Sequence, residues 1–275
     1  MKNVLIMIVA TVALVSCKKI ATVEVDEAGI WNEFTEEMFV DSASVFFDID
    51  ESERPIRRAK DGLTYNYAFD DNLEQWLVSD STTMDSDMKK LIDARVLNYV
   101  ESEDKKVRIY SWATLPETQR YISWTNVVQT KCDGRFSGHV ESVFCMVHDC
   151  GEQSGEGEPV TQIITINGDD GCEIYLVEMH QDGIDNSAKY CLHSFEIKDG
   201  QLVPVGLMDK CVVLDCNNDM SSAFVQQVGD SCAYNYDKQS KRLYVPESVD
   251  GVFTGKFQML EFDGKVFVDK GMCDK

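Results

Sequence analysis

Val107-Arg108-Ile109-Tyr110-Ser111-Trp112 is the stretch that decides the fold. Its side chains sort onto two faces with a period of two, which is the repeat of a β-strand and not of a helix. The same period recurs along the rest of the chain, at Tyr121–Trp124, Val140–Val147, Gln162–Ile166, Glu173–Glu178, Phe195–Ile197, Arg242–Val245 and Gln258–Phe262. Between these runs stand Asp133-Gly134, Asn167-Gly168, Asp182-Gly183, Asp199-Gly200, Asp250-Gly251 and Asp263-Gly264. A two-residue hairpin turn needs φ > 0 at both central residues, and Asp-Gly and Asn-Gly supply it most readily. The chain after Val107 therefore reads as antiparallel and built from hairpins. Phe195–Val203 and Leu260–Val268 repeat one hairpin phrase, which suggests a meander or a propeller-like sheet.

Upstream of Val107 the pattern is mixed. Ile30, Phe34 and Met38 form an i, i+4 stripe with Trp31 beside it, which predicts a short amphipathic helix over Gly29–Phe39. Asp48–Lys60 reads as a charged connector, and the alternation Tyr65, Tyr67, Phe69 reads as a short strand. Met88, Leu91 and Ile92 after Ser86 or Asp87 predict a second helix over Asp85–Val96. The expected class is α+β: a partly helical N-terminal portion over 25–105, then an all-antiparallel portion over 106–275.

Residues 1–24 carry an address. Met1-Lys2-Asn3 is followed by an apolar run from Val4 and then by Leu14-Val15-Ser16-Cys17. A basic start, a short apolar core and small residues before the break describe a secretory signal. The Leu-x-Ser-Cys ending matches the lipobox, in which the cysteine is diacylated and the peptide is cut before it. The expectation is a signal peptide over 1–16, lipidation at Cys17 and a tether over 17–24. A membrane span needs about 20 apolar residues, more than this run provides. The expected address is an outer-membrane lipid anchor, and Lys18-Lys19 directly after the cysteine, in place of the acidic tag of surface-displayed lipoproteins, resembles the kind whose folded part faces the periplasm.

The formal net charge is −22, and losing Lys2 with the leader makes it −23. Such a chain repels phosphate backbones and anionic lipid surfaces, which argues against nucleic-acid partners and leaves the acyl chains as the contact with the membrane. Of ten cysteines, nine remain after Cys17: Cys132, Cys145, Cys150, Cys172, Cys191, Cys211, Cys216, Cys232 and Cys273. In an exported protein these are disulfide candidates, at most four bridges with at least one thiol to spare, and all fall in the portion over 106–275.

Arg108-Ile109-Tyr110-Ser111-Trp112, the strand ending Asn126-Val127-Val128-Gln129, Gly255-Lys256 and the closing Phe262-Asp263-Gly264-Lys265 with Phe267 resemble a group of uncharacterised exported lipoproteins of Bacteroidota. The resemblance implies the same address and a β-rich fold, and implies no activity. The chain departs from that group in having Thr114-Leu115-Pro116-Glu117-Thr118 after the Tyr-Ser-Trp phrase, where the group is rich in Gly-Gly, and in its cysteine load.

Three sets of residues are candidates for chemistry. Arg108, Tyr110, Trp112 and Trp124 offer aromatic rings beside a guanidinium, a set able to bind a sugar ring or an anion; the competing and favoured reading is a half-buried core layer. Asp215, Asn217 and Asp219 open like a calcium loop, but Met220 stands where the turn glycine belongs, so turn propensity accounts for them equally well. Cys145, His148 and Cys150 could ligate zinc, against which an oxidising compartment turns thiols into disulfides. No cofactor is expected. The serine in Gly151–Gly155 lacks nucleophile-elbow spacing, and neither HExxH nor a phosphate-binding glycine loop occurs. The expected function is a non-catalytic envelope lipoprotein that binds or scaffolds a glycan, a peptide or a partner protein. The alternative is a polysaccharide hydrolase using a carboxylate pair not visible in one dimension.

Overall fold

The computed structural model describes residues 34–49, 57–59, 67–114, 123–140, 159–182, 187–215 and 233–274. Within these the chain is predominantly antiparallel β, with three four-stranded sheets and few helices. The signal peptide and tether, the start of the first expected helix and the candidate metal positions Asn217 and Asp219 lie outside the described residues.

The helices come first. Helix α1 spans Glu36–Phe46 and starts on Thr35, whose Oγ1 accepts from the Met38 N–H at 3.3 Å, while Glu36 and Glu37 sit favourably in the first turn. Helix α2 spans Tyr67–Ser79, so Tyr67 and Phe69 of the expected short strand are helical, and Tyr65 lies outside the described residues. The longer pattern Phe69, Leu73, Trp76, Leu77 is helical, all four are buried, and three residues of alternation cannot outweigh it. The expected helix over Asp85–Val96 is instead a 3-10 turn at Ser81–Asp85 and the short helix α3 at Lys89–Asp93. Asp80 caps the 3-10 turn through the Thr82 N–H at 2.9 Å, and Met88 in the left-handed region separates the two pieces. Strands β1 (Phe47–Ile49) and β2 (Arg57–Ala59) form a small ladder inside the expected connector.

The three large sheets are meanders in chain order. The first contains β3 (Asn98–Glu101), β4 (Val107–Thr114), β5 (Ser123–Cys132) and β6 (Arg135–Val140). The second contains β7 (Val160–Asn167), β8 (Glu173–Asp182), β9 (Ser187–Lys198) and β10 (Gln201–Asp215). The third contains β11 (Asn235–Asp237), β12 (Arg242–Val249), β13 (Val252–Phe262) and β14 (Phe267–Cys273). The 105/106 boundary read from the sequence falls inside the β3–β4 hairpin, closed by the Ser102 N–H on the Val107 carbonyl at 2.8 Å.

Asp133-Gly134, Asp199-Gly200 and Asp250-Gly251 all take positive φ at both residues, as a two-residue hairpin turn requires. Asp263-Gly264 does not. Only Gly264 is left-handed there, and Asp263 Oδ1 instead accepts from the Lys265 and Val266 N–H groups at 2.9 Å. One hairpin phrase thus makes two kinds of turn.

The layers stack in series. Arg108, Tyr110 and Trp112 turn to one face of β4, where Tyr110, Trp112 and Val127 pack with Phe39, Phe69, Leu73, Trp76 and Leu91 of the helical layer. Val107, Ile109 and Val128 turn to the other face and pack on Tyr175, Val177 and Phe195 of the second sheet. The second sheet's far face, with Ile164, Ile174, Leu176 and Leu192, packs on Leu243, Phe253, Phe257 and Leu260 of the third. Helix α2 lies so close to β6 that a Cβ built on Gly138 would stand 2.4 Å from the Val78 carbonyl oxygen. Gly138→Ala is therefore expected to push the helix off the sheet and lower stability by about 1–3 kcal/mol, read from urea denaturation.

Candidate functional site

Arg108, Tyr110 and Trp112 sit in a core contact, in line with the favoured reading of them as a core layer. Arg108 is 5% exposed, Tyr110 0% and Trp112 1%. The Arg108 guanidinium bonds Glu101 Oε1 from Nε at 3.2 Å and from Nη2 at 2.8 Å, donates to the Thr83 and Ser86 carbonyls, and lies 4.2 Å from the centre of the Tyr99 ring. The Tyr110 hydroxyl donates to the Thr83 carbonyl at 2.7 Å, and burial pushes its pKa up to about 12. Trp112 Nε1 donates to Asp70 Oδ1 at 2.9 Å. Gln129, the cross-strand neighbour of Arg108, donates to the Leu77 carbonyl and to Thr83 Oγ1. Together these groups fasten the 3-10 turn to the sheet. Trp124 pairs with Ala113, which puts it on the opposite face from Arg108, so the four residues do not converge. The face that a ligand would need on Arg108, Tyr110 and Trp112 is covered by α2 and the 3-10 turn.

Cys191 is buried in β9 and disulfide-bonded, whereas Cys132, Cys172 and Cys273 are free thiols. Three free thiols among nine cysteines leave at most three bridges, against the four that the count alone allows. Cys145, Cys150, Cys216 and Cys232 lie outside the described residues, as does the side chain of Cys211, and with them His148 of the zinc reading. Asp215 ends β10, but its side chain is outside the described residues too. Among the described residues no cluster of His, Cys, Asp or Glu has the arrangement to hold a metal ion, and no helix is long and apolar enough to cross a membrane.

The structure brings together a different set of residues. A cavity of about 450 Å³ opens where the β3–β4 turn, β7 and the β11–β12 turn meet. The β3–β4 turn supplies Glu103 and Asp104, β7 supplies Thr165, Ile166 and Asn167, and β8 supplies Glu173. Tyr236, Lys238 and Lys241 close it from the third sheet. A smaller cavity of about 210 Å³ shares Glu103, Thr165, Tyr236 and Lys238 with it and continues along β7 to Gln162. The acids of the cleft are engaged. Glu103 pairs with Lys238, Glu173 pairs with Lys106, and Asp104 accepts from Ser102 Oγ at 2.5 Å and from the Tyr175 hydroxyl at 2.8 Å. Glu173 Oε2 lies 3.3 Å from that same hydroxyl. Burial, and then the two carboxylates, hold the Tyr175 phenol protonated far above its ordinary range. Thr165 Oγ1 is buried without a partner among the described residues.

Behind the smaller cavity stands Glu178, 0% exposed on β8. Its carboxylate accepts from Thr161 Oγ1 at 2.8 Å, Gln162 Nε2 at 2.8 Å, the Ala233 N–H at 3.0 Å and the Tyr234 N–H at 2.9 Å. Burial pushes its carboxyl above the usual range, and these donors pull the other way. Gln162 Nε2 also donates to the Tyr234 carbonyl at 2.8 Å. Glu178 thus ties the lead-in to β11 against the second sheet and sets one wall of the cleft. Sequence reasoning passed over it, although a signal was present: Ile174, Leu176 and Glu178 share one strand face, and a carboxylate in line with two core residues must be bonded inside.

No protein-family model matches this chain, and no curated protein matches it.

Proposed function

We propose that this chain is a lipid-anchored protein of a bacterial envelope, acylated at Cys17, whose folded part binds or scaffolds another molecule and does no chemistry on it. Leu14-Val15-Ser16-Cys17 behind a basic start and a short apolar run carries the address, and the likeness to exported Bacteroidota lipoproteins supports it. The anchor sits in the outer membrane, and Lys18-Lys19 favours a fold facing the periplasm. The net charge of −22 sets nucleic acid aside as a partner. The finer architecture of this reading is α+β, the helices and the first sheet forming one unit through their shared core.

The observation that carries the binding role is the cleft itself, a concave site of the size small ligands occupy, whose acids are already tied up in ion pairs and hydrogen bonds. One observation favours the hydrolase alternative: Asp104 and Glu173 both reach the Tyr175 hydroxyl and so form a carboxylate pair in the cleft. A binding panel of glycans, peptidoglycan fragments and peptides, run beside a hydrolysis assay on the same compounds, separates the two. The expected result is retention without turnover. Turnover abolished by Asp104→Asn or Glu173→Gln would overturn the binding role.

A further inference from the structure

Resting on that reading, we propose that the cleft takes an extended peptide segment of four or five residues, which adds as a strand to the free edge of β7. The lining of the cavities carries this inference. A strand that shows a cavity its face contributes every second residue, because side chains alternate. Strand β7 contributes Gln162, Ile163, Ile164, Thr165, Ile166 and Asn167 in unbroken succession. The cavities therefore look onto its edge, where backbone N–H and C=O groups project.

That edge is open. Strand β7 is the outermost strand of its sheet and pairs with β8 alone. Its start is tied down, with the Val160 N–H on Ser111 Oγ at 3.2 Å and Gln162 Nε2 on the Tyr234 carbonyl. Beyond Gln162, among the described residues, no hydrogen bond leaves that edge as far as Asn167. The opposite wall repeats the arrangement: Tyr234, Asn235 and Tyr236 line the smaller cavity in succession, and β11 is likewise the outermost strand of its sheet.

At ~3.3 Å per residue, Gln162 to Asn167 offers an edge of about 16 Å, the reach of a four- or five-residue strand. Strand addition suits a partner whose affinity comes from main-chain hydrogen bonds. The charges agree with it, since the acids Glu103, Asp104 and Glu173 are matched in number by Lys238, Lys241 and Lys106, and the cleft asks no net charge of the guest.

The test uses the full mature chain in detergent with capped pentapeptides alternating valine and threonine. Binding is read by fluorescence anisotropy and backbone protection by hydrogen–deuterium exchange. The expected result is saturable binding with slowed exchange across 162–167 and unchanged exchange in β14, the outermost strand at the other side of the third sheet. N-methylation of alternate peptide residues removes ladder donors and weakens binding about tenfold or more. Thr165→Gln, which fills the cavity from its wall, abolishes binding at an unchanged thermal midpoint. Absence of binding at millimolar peptide, binding without protection of β7, or indifference to N-methylation would overturn the proposal. A glycan retained in the cleft while the peptides are ignored would also overturn it, leaving the binding role standing. Turnover of any of these compounds would remove the binding role itself.

Discussion

Glu178→Ala is expected to lower folding stability by about 3–5 kcal/mol. The alanine removes one acceptor group and leaves four donors facing an apolar interior: the Thr161 hydroxyl, the Gln162 amide and the Ala233 and Tyr234 N–H groups. Each buried donor left unpaired costs about 1–3 kcal/mol, partly relieved where Gln162 finds the Tyr234 carbonyl it already bonds. Glu178→Gln keeps an acceptor oxygen but points an NH₂ at the remaining donors, so it is expected to fall between wild type and alanine. Urea denaturation gives the order. Hydrogen exchange adds a local signature, because Ala233 and Tyr234 should lose protection first in the glutamine variant. An alanine variant within 1 kcal/mol of wild type would mean that the lead-in to β11 is held by something other than this carboxylate.

Arg108→Ala is expected to cost about 3–5 kcal/mol as well, for a different reason. Arg108 joins Glu101 on β3 to the carbonyls of Thr83 and Ser86 in and beside the 3-10 turn, so its removal leaves the Glu101 carboxylate and the Ser86 carbonyl short of a donor at the interface between helices and sheet, while the Thr83 carbonyl keeps the Tyr110 hydroxyl. Arg108→Lys is expected to recover less than half of the loss, since one ammonium on a flexible stem cannot satisfy acceptors on both sides of a planar fork. Trp112→Ala should also lose about 3–5 kcal/mol by emptying space between α2 and the first sheet. All three variants, where they still fold, should keep the binding behaviour of the cleft. Selective loss of ligand binding at an unchanged thermal midpoint would restore the ligand role first read for Arg108, Tyr110 and Trp112.

The β-rich half was legible because its signals are local. Asp133-Gly134, Asp199-Gly200 and Asp250-Gly251 fix their own turns through two left-handed residues, and the alternation on either side follows. The helical layer was harder to read, because Tyr65, Tyr67 and Phe69 alternate over a window too short to distinguish periods, and the decisive residues Leu73, Trp76 and Leu77 lie beyond it. Period two also showed that Arg108, Tyr110 and Trp112 share a face. It could not show which layer covers that face, since this depends on helices some 30 residues earlier in the chain. The cleft was the least legible feature. Glu103 and Asp104, Thr165 to Asn167 and Tyr236 to Lys241 come from three sheets, and each stretch taken alone reads as an ordinary turn or strand. Only the stacking of the sheets brings them to one cavity.

Intact-mass spectrometry of the protein extracted from membranes of its native host tests the central claim most directly, that this fold works from a lipid anchor in the envelope. The account predicts a mature chain beginning at Cys17 and carrying a diacylglyceryl group, with the Cys17→Ala variant lost from the membrane fraction. A soluble mature chain beginning at any other residue, or an unmodified Cys17 in the membrane fraction, would contradict it.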